Sequence, residues 1–218
     1  MIIFFILILI SCSKNENSFQ AKSYAIAGTI NTISGYPDSL AVGLIRIKNL
    51  SDNLYVQDAI VKINGSQITY NSSALGYSTI TIYKNNQNYK VEIIFDSYNV
   101  SIDCLSGNLD SIRVMVDKDS VNRGDIINVK WRYFGMPSGK NMILLKKKGS
   151  VEFNASTGYI PISDTTYQLN TSNLEITDYD LLLISGNFCI INNFEPYPNF
   201  PNSLIFVGRG STLIIKIR

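Results

Sequence analysis

The chain has 218 residues, 45% of them hydrophobic, and carries 19 Lys and Arg against 17 Asp and Glu for a net charge of +2. Charges this balanced and interspersed point to neither nucleic acid nor a strongly acidic partner. There is no His, which excludes Ser-His-Asp and Cys-His catalysis, His-ligated zinc or iron, and the ordinary near-neutral proton shuttle.

Ile2 to Ile10 is an uninterrupted apolar run that closes on Leu9-Ile10-Ser11-Cys12. It is too short to cross a bilayer, which takes a helix of about 20 residues, and it fits the apolar region of a cleaved signal. The junction resembles the lipobox of bacterial lipoproteins, with Ser11 as the small residue before the cysteine. That resemblance implies that residues 1–11 are a signal peptide, and that Cys12 is acylated and begins the mature chain. It also implies that the membrane is a partner, reached through the lipid anchor. Ser13 after the cysteine resembles the pattern that sends enteric lipoproteins to the outer membrane, so the expected location is the bacterial cell envelope at that membrane. Two or three acyl chains hold durably, because each buried methylene adds about 0.8 kcal/mol. Residues 12–23 are polar and poor in apolar side chains, and read as a flexible tether.

The rest is rich in Ile, Val, Tyr, Thr, Asn and Ser and poor in helix formers, which favours strands and turns. The first folded unit is expected over residues 24–104. Ile45 and Ile47 alternate with Arg46 and Lys48, and Ala59, Val61 and Ile63 alternate around Lys62. Asn64-Gly65 then predicts a two-residue hairpin into Gln67–Tyr70, because both residues tolerate positive φ. Ile80 and Ile82 alternate with Thr79 and Thr81. Tyr89, Val91, Ile93 and Phe95 occupy odd positions, whereas Tyr98, Val100 and Ile102 occupy even ones. The slip predicts a tight turn or bulge at Asp96-Ser97, since one extra residue exchanges the faces of a strand. The stretch from Val56 to Gly65 resembles the opening hairpin of transthyretin-like, carboxypeptidase-regulatory-like sandwiches, which implies a β-sandwich and no catalytic residues.

The second unit is expected over residues 105–218. Ile112, Val114 and Val116 alternate; Asp117 to Gly124 make a polar turn; Ile127, Val129, Trp131 and Tyr133 then share a face. The run from Ser120 to Trp131 resembles the first two strands of bacterial Ig-like or fibronectin-III-like domains, which implies that Trp131 plugs the core between two sheets. Strands are also expected at Met142–Leu145, Tyr179–Ile184 and Leu204–Val207. Gly208-Arg209-Gly210-Ser211 is predicted to close a final hairpin into Leu213, Ile215 and Ile217. The expected fold is therefore all-β: two tandem Ig-like β-sandwiches after a signal peptide and a short tether.

Candidate chemistry is sparse. Asp117-Lys118-Asp119 with Gly124-Asp125 lacks the ligand spacing of a calcium loop and reads as a turn. Asp58, Asp96, Asp103, Glu152 and Glu175 are dispersed, with no pair placed for glycoside hydrolysis. Lys146-Lys147-Lys148 reads as a solvated strand end. No metal site and no cofactor are expected. Cys104 and Cys189 are free to pair in an oxidising envelope, but Cys104 falls at the expected domain junction and Cys189 beyond the expected strand, so the pairing stays open. The segment Phe194 to Pro201 is stiffened by three prolines and carries Phe194, Tyr197 and Phe200, a ligand-binding candidate that could stack on sugars or grip a protein; the alternative is a connection that lays its aromatics onto the sandwich. These observations favour a non-enzymatic, lipid-anchored interaction or structural module, with an envelope protein or a glycan as partner and no nucleic acid. The alternatives are a carbohydrate-binding accessory lipoprotein using residues 194–201 and a carboxylate-based hydrolase.

Overall fold

The computed structural model describes residues 23–32, 40–191 and 203–218, and every regular element within them is a β-strand. In chain order the strands are β1 (Tyr24–Thr32), β2 (Leu40–Asn49), β3 (Ile60–Ile63), β4 (Ser66–Asn71), β5 (Gly76–Ile82), β6 (Asn88–Phe95), β7 (Tyr98–Leu105) and β8 (Asn108–Val116). They continue with β9 (Ser120–Val121), β10 (Ile126–Met136), β11 (Lys140–Lys147), β12 (Ala155–Ser156), β13 (Ile160–Pro161), β14 (Thr166–Asn170), β15 (Asp178–Ile190) and β16 (Leu204–Ile217).

Local sequence accounts for much of this. Asn64 and Gly65 take φ of 50° and 79° between β3 and β4, the backbone that a two-residue hairpin between twisted strands demands. Tyr89, Val91, Ile93 and Phe95 on β6 and Tyr98, Val100, Ile102 and Cys104 on β7 are all buried. The change of phase between them is a hairpin in which Phe95 pairs with Tyr98 and Asp96 takes a φ of 46°.

Hydrogen bonding orders the main sheet β12-β11-β15-β16-β1-β2-β5-β4-β3-β6-β7, and a smaller sheet runs β14-β10-β8. Strand β4 turns a corner: Ile68 pairs with Val61 on β3, whereas Thr69 pairs with Ser78 on β5. Folding there lays β3, β6 and β7 over β1, β2 and β5. Ile26, Ile45, Ile47 and Tyr77 from one layer share a core with Val61, Val91, Ile93 and Val100 from the other. A second core lies between β11, β15 and β16 and the smaller sheet. Trp131 is in it and only 3% exposed, as expected. Its Nε1–H donates to the Tyr133 hydroxyl at 2.9 Å, which donates in turn to Oδ1 of the fully buried Asn141 at 3.0 Å. The one polar atom of the indole is thus satisfied, the usual condition for burying a Trp.

Two sequence expectations need correction. Gly208 to Ser211 make no hairpin: β16 runs unbroken from Leu204 to Ile217, paired with β15 along its length. The glycines serve close approach instead. Gly208 pairs with Gly186, and a Cβ at Gly208 would sit 2.3 Å from the Ser185 carbonyl oxygen and 2.6 Å from the Phe206 ring. Strand glycines often mark such backbone contacts rather than turns.

The second correction concerns the boundary after Cys104. The odd residues of β15 and β16 point inward throughout, so this one hairpin lines both cores. Leu181, Leu183, Ile215 and Ile217 enter the second core; Ile205 and Val207 enter the first. Residues 204–209 also pair in parallel with β1, from Ala27↔Leu204 to Thr32↔Arg209. Residues 24–104 therefore lack part of their own core, and the two sandwiches stand side by side on one shared sheet.

Cys104, at the end of β7, is bonded to Cys189 on β15, with Cα atoms 5.8 Å apart. The sequence left this pairing open because β15 was expected to stop at Ile184; it continues to Ile190 and carries Cys189 to the open side of the first sandwich. The bond joins residues 85 apart, worth about 4–5 kcal/mol in the chain-entropy treatment. At the same junction lies Arg209, 6% exposed. Its Nε donates to the Leu109 carbonyl at 2.8 Å and its guanidinium stacks 4.3 Å from the Tyr83 ring centroid. Burial pushes the Tyr83 hydroxyl up to about 12, with Arg209 acting in the opposite direction.

Candidate functional site

Of the residues that sequence singled out, Cys104 and Cys189 are joined, and the described acids gather at no common site. Cys12, Phe194, Tyr197 and Phe200 lie outside the described residues. The acids are spread over the molecule, and several are engaged locally. Asp96 accepts from the Tyr24 hydroxyl, Asp103 from the Asn88 side chain at 2.9 Å, and Glu175 pairs with Lys147. Lys146 pairs with Asp180 at 3.3 Å, so two of the three consecutive lysines are neutralised by neighbours. Asp117 accepts from the backbone N–H and the side-chain amide of Asn128, at 2.9 and 2.6 Å. These bonds hold its carboxyl below the ordinary range and use its oxygens to tie the turn. Among the described residues no three His, Cys, Asp or Glu stand close enough to hold a metal ion.

Two recesses are small. One, of about 200 Å³, lies among Lys118, Ser120, Asn122, Asp125 and Arg218, where Asp125 already accepts from the Asn122 N–H and Arg218 pairs with Asp178. Another, of about 150 Å³, lies between Lys140, Tyr159, Phe188 and Ile190. There the Lys140 ammonium is 4.7 Å from the Tyr159 ring centroid.

The site the sequence did not disclose is on the other face of the shared sheet. A strand alternates its side chains, and here the face turned away from both cores is apolar as well. Ala27 on β1, Val42 and Leu44 on β2, Met142 and Leu144 on β11, Leu182, Ile184 and Phe188 on β15, and Leu204 and Phe206 on β16 line a groove of about 270 Å³. Leu182, Ile184 and Phe206 form its floor and are buried. The absence of side chains at Gly186 and Gly208 leaves room for the Phe206 ring over that pair. Phe188 packs against Phe206 at 4.9 Å and against Tyr159 at 4.8 Å between ring centroids, which continues the apolar surface to the neighbouring recess. Ala27 and Phe153 are exposed, while Val42, Leu44, Met142, Leu144 and Leu204 are half-buried.

Arg46 is the one charged residue among the described residues that line this groove. Its Nε donates to the Ala74 carbonyl and its Nη2 to the Val151 carbonyl, both at 3.0 Å. The first acceptor belongs to the β4–β5 turn and the second to the β11–β12 connection, so the guanidinium bridges the two sandwiches. Burial holds its pKa below the usual guanidinium value, opposed by the nearby Glu152. At one end of the groove the Ile191 N–H donates to the Ser203 carbonyl at 2.9 Å. Ile191 and Ser203, the described residues on either side of 192–202, are therefore neighbours next to Leu204.

Read strand by strand, the sequence marks this groove with one trace alone. Its residues come from five strands, and the even positions of β15 and β16 read as core of an isolated sandwich. A paired alternation, apolar on both faces of Leu181 to Ile184 and Leu204 to Val207, was the trace of a sheet with something on either side.

No family model matches the chain, and the search of curated proteins finds no relative. Among solved structures, the chain is similar to the N-terminal four Ig domains of Dscam1 isoform 8.4, at 7% identity and a TM-score of 0.25, over 88% of this chain and 44% of that one. It is also similar to the fibronectin(III)-like modules of Clostridium thermocellum CbhA, at 11% identity and a TM-score of 0.25, over 85% of this chain and 94% of that one. The chain thus spans less than half the length of the Dscam1 structure. The sandwich fold is displayed by the sheets themselves, and neither neighbour bears on fold or function.

Proposed function

We propose that this protein is a lipid-anchored, non-enzymatic module of the bacterial cell envelope, its first sandwich of the transthyretin-like kind, that engages its partner through the apolar groove on the shared sheet. The observation that carries the reading is the groove. It is concave, apolar, built on paired strands rather than loops, and holds a single cation, the common composition of a binding site. The lack of His and the dispersal of the acids into structural bonds support binding rather than catalysis. The lipobox Leu9-Ile10-Ser11-Cys12 supports the anchor, and the tether of residues 12–23 would let the sandwiches reach a partner close to the membrane. A glycan is the second reading. It is favoured by the half-exposed Tyr159 ring beside Lys140, close to where the segment of Phe194, Tyr197 and Phe200 joins the fold.

The reading is tested in two steps. Mass spectrometry of membrane-extracted protein should find a diacylglycerol-modified Cys12 as the first residue, and Cys12→Ser should leave the chain uncleaved there. Leu44→Glu, at a half-buried position on the groove wall, should weaken retention of the chain lacking its lipid anchor on whole envelope fractions, lipids included, while its melt stays within a few degrees. An unmodified Cys12 within an intact N-terminus removes the anchor; unchanged retention removes the groove.

A further inference from the structure

An apolar groove with one guanidinium in it discriminates among ligands by the charge they carry at one end. Arg46 offers five N–H donors, and two of them are committed to the Ala74 and Val151 carbonyls. Those two bonds fix the plane of the guanidinium and leave further donors on its other edge. No ion pair to Arg46 forms among the described residues: Glu152 is near enough to favour its charged form but is exposed and does not close on it. A partly desolvated cation fixed in this way gains a strong, charge-assisted hydrogen bond when an anionic oxygen arrives.

The remainder of the groove sets the shape of what that oxygen belongs to. From Leu44 on β2 across β1, β16 and β15 to Leu144 on β11 are four inter-strand steps, about 19 Å at the ordinary strand spacing. Its volume is about 270 Å³, at the small end of the range of ligand pockets. An apolar lining of aliphatic and Phe side chains with one cation suits a flexible hydrocarbon chain that ends in an anionic group. A folded protein partner would meet a concavity with hardly a hydrogen-bonding group to satisfy, whereas protein interfaces carry about one hydrogen bond per 100–200 Å².

We infer that the groove takes a free single-chain amphiphile with an anionic head, of the fatty-acid kind, its tail across the outward face of the shared sheet and its head on Arg46. This rests on the reading of the groove as the contact site and adds the chemistry of its occupant.

The experiment is a titration of the chain from Ser13 to Arg218, which keeps every described strand, with dodecanoate and dodecyltrimethylammonium below their micellar concentrations and dodecanol below its solubility limit, followed by calorimetry. Dodecanoate should bind saturably at one site, and dodecanol should bind about tenfold more weakly, the worth of one hydrogen bond to a charged group. Dodecyltrimethylammonium should bind more weakly still. Arg46→Met should erase the preference for the anion while leaving dodecanol unchanged, and Arg46→Lys should retain part of it. Ala27→Trp fills the groove from an exposed, outward-facing position and should abolish all three, with a thermal melt showing that the fold persists.

Equal binding of the three heads, or an anion preference that survives Arg46→Met, overturns the proposal while leaving the groove a contact site. Failure of all three probes, with Leu44→Glu still releasing the protein from envelope fractions, overturns it in favour of a protein surface. Binding to phosphatidylglycerol vesicles but not to monomeric dodecanoate assigns the face to a bilayer, and self-association lost in Leu44→Glu assigns it to a second copy; either result overturns the proposal. If dodecanoate binds only after residues 192–202 are replaced by a Gly-Ser linker, the chain fills its own groove and the proposal falls.

Discussion

If the sandwiches share their hairpin as described, residues 23–104 expressed alone should not fold. The fragment would keep β1 to β7 but lose the parallel pairing of β1 with residues 204–209. It would also lose Ile191, Ile205 and Val207, which are no more than 2% exposed in the first core. Fully burying side chains of this size is worth about 1.5–3 kcal/mol each, or about 5–9 kcal/mol for the three. That loss is comparable with the about 5–15 kcal/mol that holds an ordinary domain folded. The assay is urea unfolding followed by far-ultraviolet circular dichroism, with amide proton dispersion at zero denaturant. The fragment should show no cooperative transition, and residues 23–218 should show a single one sensed alike by Trp131 fluorescence and by dichroism. A fragment that unfolds cooperatively at the midpoint of the longer chain would refute the reasoning and restore the boundary after Cys104.

Further outcomes follow from particular contacts. Trp131→Ala should lower stability by about 3–5 kcal/mol in denaturant melts, since it empties a large buried volume and removes the donor that Trp131 gives to the Tyr133 hydroxyl. Gly208→Ala should lower it by about 1–3 kcal/mol through overpacking, because its Cβ would meet the Ser185 carbonyl oxygen; a neutral result would mean that β15 and β16 can move apart there. Burial raises the pKa of Tyr24, Tyr77, Tyr83 and Tyr89, that of Tyr83 to about 12. The folded state therefore holds phenolic protons that the unfolded chain releases near pH 10, so stability should be level below about pH 9 and fall as pH rises from 10 to 12; urea midpoints that rise over that range would contradict it. Tyr197→Ala should weaken association with the partner by about 1–3 kcal/mol and leave the melt nearly unchanged if its segment is a contact loop; a large loss of stability with binding intact would assign the ring to the fold.

The alternation of apolar residues was enough to read β6, β7, β8, β10 and the hairpin of β3 and β4, because each buries one face and exposes the other. It was silent on β12, β13 and β14, whose few residues are held by partners remote in sequence. The misreading of Gly208 to Ser211 has a physical cause. Glycine signals a turn and a close approach with the same letter, and only the cross-strand partner, here Gly186, separates the two. The domain boundary failed for a related reason. Ile205 and Val207 look like any other inward pair, and nothing local says which of two cores they enter. The disulfide and the groove share this non-local origin. Cys189 became reachable only through the continuation of β15 past Ile184, and Arg46, one charged residue in an alternating strand, gained its significance from neighbours on β4–β5 and β11–β12.

The parallel pairing of β1 with β16 has a mechanical consequence. A load applied between Tyr24, at the start of β1, and Ile217, at the end of β16, pulls two side-by-side parallel strands in opposite directions along their length. The hydrogen bonds from Ala27↔Leu204 to Thr32↔Arg209 then bear the force in shear, all at once, rather than opening one after another as in a peeled antiparallel pair. A protein held to a surface by the segment preceding Tyr24 would pass tension straight into its strongest direction, and the strand that takes the strain is the one that lines both cores.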